Sequence, residues 1–65
     1  MTVNEIKSRY HEIRCGEQKQ GAEIMGLYFD KKITLEEREK RIANLKSETI
    51  LALYGLLDEI LNQSN

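Results

Sequence analysis

Apolar side chains recur along the first half of the chain at alternating steps of three and four residues. Val3, Ile6, Tyr10, Ile13, Ile24 and Leu27 follow this rhythm, and Glu17 and Gln20 take its two central places. Such a period belongs to a helix with one face turned inward, and it predicts a helix over about residues 3–29. Thr2 precedes Glu5 by three residues, the spacing of a capping box: the hydroxyl accepts an early amide and the carboxylate reaches back to the cap. The stretch from Gly16 to Gly21 is polar and bounded by glycine, each costing roughly 1 kcal/mol against alanine inside a helix. One continuous helix, or two shorter ones broken there, would both fit.

The rhythm stops at Asp30-Lys31-Lys32-Ile33. Thr34 and Glu37 then repeat the capping-box spacing, and Glu36 and Glu37 place negative charge at the positive end of the next helix dipole. A second pattern runs from Leu35 through Ile42, Leu45, Thr49, Ile50, Leu53, Leu56 and Leu57 to Ile60, which predicts a helix over about residues 35–62. Equal helices joined by a short turn predict an antiparallel helical hairpin, all-α in class and forming a single domain over residues 1–65. Folding at that turn sets Val3 against Ile60, Ile6 against Leu57, Tyr10 against Leu53 and Ile13 against Ile50. The same register brings Glu17 opposite Lys46 as a polar layer.

A hairpin does not use all of the apolar surface in the second pattern. Leu51, Tyr54 and Leu61 lie off its main stripe, and a helix that is apolar over more than one face is a buried one. We therefore expect a homodimer, most simply a four-helix bundle, with Ile50, Leu51, Tyr54, Leu57 and Leu61 at the interface. Length points the same way. A chain of 65 residues buries only about 60% of its unfolded surface and needs a staple, a partner or unusually good helix packing. Cys15 is the sole cysteine and His11 the sole histidine, so a disulfide is excluded and a monomeric metal site is short of ligands. No cofactor or metal is expected.

Proline is absent and 32% of residues are charged, which suits long uninterrupted helices. The formal charge of −1 gives no global field toward nucleic acid or acidic lipid. The longest apolar run, Ile50 to Leu57, is too short to span a bilayer, so no membrane role is expected. Met1-Thr2-Val3-Asn4-Glu5 lacks the basic-then-apolar order of a signal peptide. With a lone thiol, this suggests the cytoplasm, either bacterial or of the host if the protein is phage-encoded.

The turn region carries Ile24, Leu27 and Tyr28, then Lys32-Ile33-Thr34-Leu35-Glu36-Glu37, then Glu39, Arg41, Ile42 and Leu45. This order, over about the middle third of the chain, resembles the SHOCT (short C-terminal) domains and their relatives. The resemblance implies a helical hairpin used for association or protein contact, and it supplies no catalytic residue. Leu57-Asp58-Glu59-Ile60-Leu61-Asn62 is also similar to part of the motif of a class of helical-hairpin sporulation phosphatases. The serine that family needs upstream of its aspartate is missing, since Tyr54 and Gly55 stand there.

Two groups of residues bear on chemistry. His11 and Cys15, four apart, share a helix face; no third residue orients the imidazole for nucleophilic work, and a solvated pair is expected. Lys31, Lys32, Arg38, Lys40, Arg41 and Lys46 form a basic cluster, but Asp30, Glu36, Glu37 and Glu39 balance most of it. Aromatic and arginine side chains dominate interface hot spots, which singles out Tyr28, Phe29, Lys32, Arg38 and Arg41 around the turn as candidate partner contacts. The expected function is that of a small non-enzymatic protein-interaction module, a homodimeric adaptor or modulator of a regulatory protein such as a repressor or polymerase. The alternative is a nucleic-acid-binding accessory protein using the basic turn region.

Overall fold

In the computed structural model, which describes residues 1–63, two α-helices form an antiparallel hairpin: α1 (Val3–Phe29) and α2 (Leu35–Gln63). Among the described residues there is no strand. α1 runs unbroken through Gly16 and Gly21, which settles the choice between one helix and two. Both cap hydroxyls are where the sequence places them. Thr2 Oγ1 accepts from the Glu5 amide at 3.2 Å and Thr34 Oγ1 from the Glu37 amide at 3.1 Å. Each satisfies one of the amides that a helix start leaves without a partner.

The turn is closed by backbone hydrogen bonds of the Schellman type. The Lys32 amide donates to the Leu27 carbonyl at 2.9 Å, and the Lys31 amide to the Tyr28 carbonyl at 3.0 Å. That geometry demands a left-handed residue just past the helix end, and here it is Lys31, with φ of 62°. Glycine would hold this conformation without a clash at Cβ.

Among the described residues three are buried, all on α2: Leu45, Thr49 and Leu56. The Thr49 hydroxyl is satisfied within its own helix, donating to the Leu45 carbonyl at 2.9 Å, so a polar side chain sits in the seam without an orphaned group. Half-buried Ile42, Leu53 and Ile60 continue the stripe on α2, and Ile6, Ile13 and Ile24 line the facing side of α1. Gly21 faces Leu45: a Cβ added there would stand 3.8 Å from Leu45 Cδ2, in ordinary contact. At the turn the Arg38 guanidinium lies over the Tyr28 ring. At the open end Arg9 pairs with Glu59 at 2.9 Å, and the Met1 amino group donates to Gln63 Oε1.

These contacts correct the expected register. Gly21 faces Leu45 and Tyr28 faces Arg38, so the same alignment sets Ile6 opposite Ile60 and Ile13 opposite Leu53. The slip from the expected pairing is about three residues, nearly one helical turn. Its cause is the turn: the Schellman closure carries the chain past Asp30 before it reverses, which moves the fold point toward Ile33. Glu17 consequently lies opposite Thr49 and not Lys46. Its carboxylate pairs instead with Arg14 on its own helix at 3.0 Å, and Lys46 is exposed. The expected cross-helix polar layer is absent among the described residues.

Two substitutions test this account of the backbone. Lys31→Gly should stabilise the protein by up to about 1 kcal/mol, because it removes the Cβ penalty of a left-handed residue. Gly16→Ala should add a similar amount, since a methyl there meets nothing within 4 Å and alanine is the better helix former. Thermal unfolding followed by circular dichroism should show a higher midpoint for each; a lower midpoint for Lys31→Gly would contradict the proposed strain.

Candidate protein-interaction surfaces

The hairpin uses only one of the two apolar stripes on α2. Turning from the buried residues around the helix, one meets Leu53 and then Ile50, Tyr54, Leu57 and Leu61. The last four are all exposed, Tyr54 by 62%. Ile50, Leu53, Tyr54 and Leu57 line a shallow hollow on this face. Leu51, 69% exposed, marks its outer margin. The five residues expected at an interface are therefore all uncovered in the single chain. The first expected register had placed Ile50 and Leu57 inside the hairpin; the slip turns Thr49 and Leu56 inward and leaves those two outside.

α1 adds to the same broad face. Arg9 points to Glu59 at one edge of the hairpin, and Tyr10, the next residue, is turned about 100° from it, toward the other edge. Glu59 and Leu57 flank the inward-facing stripe of α2 on opposite sides, so Tyr10 and Leu57 share a face. Val3 and Tyr10 are both exposed there. The other edge carries Arg9 and Glu59.

The second surface is the turn end. Phe29 is 70% exposed, and its ring leans on Tyr28 with centroids 5.7 Å apart. It does not fold down over Ile33 and Leu35, and Leu35 is itself exposed. Tyr28 and Arg38 are committed to each other. The guanidinium carbon lies 4.6 Å from the ring centroid, a cation–π stack across the hairpin, and the Arg38 Nε is shielded with no hydrogen-bond partner among the described residues. Arg41 leans toward Glu37 at 3.9 Å, an exposed pair of little energetic weight. Lys31 and Lys32 are exposed beside Phe29. The five candidate contacts thus divide: Phe29, Lys32 and Arg41 face outward, whereas Tyr28 and Arg38 brace the turn.

His11 makes an edge-on contact with Tyr10, ring centroids 6.1 Å apart, and Cys15 is exposed. Among the described residues no three His, Cys, Asp or Glu side chains converge to hold a metal ion. No helix among them is long and apolar enough to cross a membrane. Compared with known proteins, the chain matches no family model, no curated protein and no solved structure, so function is read from this geometry.

The division of the turn end has a measurable consequence. Phe29→Ala should change the unfolding free energy by less than about 0.5 kcal/mol, as exposed sites do. Tyr28→Ala should cost about 1 kcal/mol or more by removing the Arg38 stack and its packing. Equal losses in urea titrations of the two variants would mean that Phe29 is a packing residue after all.

Proposed function

We propose that this chain is a non-enzymatic protein-interaction module that works as a homodimer, two hairpins closing into a four-helix bundle, and that modulates a regulatory protein through its turn end. The observation that carries this reading is surface area. The hairpin exposes 5268 Å², whereas a compact monomer of 7.6 kDa would expose about 4,300 Å². The excess, about 1,000 Å², is close to the roughly 800 Å² that each partner contributes to a standard interface. The shape agrees with the number. The Cα trace measures 50 × 18 × 8 Å, a single layer of helices, and stable domains are built of at least two.

Dimerisation supplies the second layer from the one partner every copy is made with. It would cover Ile50, Tyr54, Leu57 and Leu61, and it leaves the turn end outward with Phe29, Lys32 and Arg41 for a further protein. Aromatic residues and arginine are enriched at protein interfaces, which suits Phe29 and Arg41 as contacts. The likeness of the turn region to SHOCT hairpins favours an association role as well. Nucleic acid suits the turn end less well: Arg38 is spent on Tyr28, and Glu36, Glu37 and Glu39 lie within one turn of the remaining bases.

Sedimentation equilibrium at micromolar concentration should give twice the 7.6 kDa chain mass. Tyr54→Glu should shift it to the monomer, because the dimer would bury a carboxylate without a partner. A wild-type protein that stays at the chain mass at those concentrations overturns the dimer.

A further inference from the structure

The exposed stripe on α2 is longer than its large residues suggest. Ala43, Ser47, Ile50, Tyr54, Leu57 and Leu61 follow one another at steps of four, three, four, three and four, all exposed. This is the a/d repeat of a coiled-coil seam, and it lies roughly 115° around the helix from the stripe that packs on α1. A second neighbouring helix fits at that angle. The repeat is also graded: small residues occupy its amino-terminal part and large ones its carboxyl-terminal part.

From this grading we infer that α2 pairs with α2 of a second copy in the antiparallel sense, which makes the dimer a rod with its two turn ends at opposite tips. The inference rests on the dimer proposed above and specifies its geometry. In the antiparallel pair Ala43 lies level with Leu61 of the second copy, Ser47 with Leu57, and Ile50 with Tyr54. Small faces large in the layers of Ala43 and Ser47, as close packing requires, and two large side chains meet only next to the axis, Ile50 with Tyr54. The twofold axis passes near Ala52. On one flank of the seam it brings Leu51 beside Leu51 of the second copy, which gives that exposed side chain a place. A parallel pair would instead stack Tyr54 on itself and leave Ala43 facing Ala43.

Charge favours the same sense. After Lys46, α2 carries Glu48, Asp58 and Glu59 and no base. A parallel pair would set these acids and two negative helix ends side by side. The antiparallel pair lays the acidic half of one α2 along the half of the other that bears Lys40, Arg41 and Lys46. It also separates the two Phe29 surfaces by about 50 Å, at 1.5 Å per residue from the axis. Two partner molecules, or two sites on one extended partner, would then be held by a single rod, with the gain in effective concentration that bivalency gives.

The test uses the full chain with Cys15→Ser, so that each introduced thiol is unique. Ala43→Cys and Leu61→Cys chains are mixed and oxidised, and nitroxide labels on Lys32→Cys report the distance between turn ends in the dimer. The expected result is a mixed disulfide between the two variants, no disulfide in Leu61→Cys alone, and a label separation of about 50 Å. A Leu61→Cys self-disulfide with labels within about 20 Å would show a parallel dimer and overturn the inference while leaving the dimer standing. A dimer that forms neither disulfide has another seam and overturns it equally. A monomer in sedimentation equilibrium overturns both the inference and the dimer reading beneath it.

Discussion

Everything in this molecule depends on the fact that one layer of helices has no inside. Two parallel cylinders touch along a line, and only the residues on that line leave water. Among the described residues they are Leu45, Thr49 and Leu56, and no residue of α1 is buried to the same degree. At about 25 cal/mol per Å² of apolar surface, a seam this narrow does little against the conformational entropy of ordering some sixty residues. A ligand or partner that binds only the folded chain would stabilise it by mass action. The apolar stripe left outside the seam is the natural place for that stabilisation to come from.

Why the seam takes one stripe of α2 and not the other is decided locally. Ile50 and Leu57 are as apolar as Leu53 and Leu56, and hydrophobic periodicity alone does not rank them. The turn does. Lys31 in its left-handed conformation delays the reversal of the chain, and the Tyr28–Arg38 stack then pins the first layer after it. Leu45 meets Gly21 about two turns later along α2, and Arg9 meets Glu59 at the far edge. Small backbone effects near the turn are thereby transmitted along two stiff rods to the open end.

The same reasoning explains what was legible in the sequence. Helix positions, both cap hydroxyls and the hairpin followed from periodicity and capping chemistry, because those are local and strongly patterned. The continuity of α1 through Gly16 and Gly21 was left open, since each glycine costs helix stability without forbidding a helix. Register was misread by about three residues, nearly one turn. An apolar stripe broad enough to satisfy two alignments carries no register information, and nothing in Asp30-Lys31-Lys32 announces a Schellman closure when lysine stands where glycine would signal it. The apparent match of Glu17 with Lys46 was a coincidence of charge; an arginine three residues away on the same helix wins that carboxylate.

The candidate surfaces were legible to different degrees for a related reason. Exposed apolar residues on α2 were recognisable as surplus whichever stripe packed inward, and the change of register moves Ile50 and Leu57 from the seam to the surface. At the turn end, Phe29 stood out because it broke the α1 stripe, and it is exposed. Tyr28 and Arg38 looked like equals of Phe29 in sequence, yet ten residues of separation and the hairpin fold bring them face to face. An aromatic ring and a guanidinium can serve a partner or serve each other, and composition does not distinguish the two uses. The structure does, by assigning their stacked faces to the turn. What remains outward there is Phe29 with its neighbouring cations, its ring tilted against Tyr28.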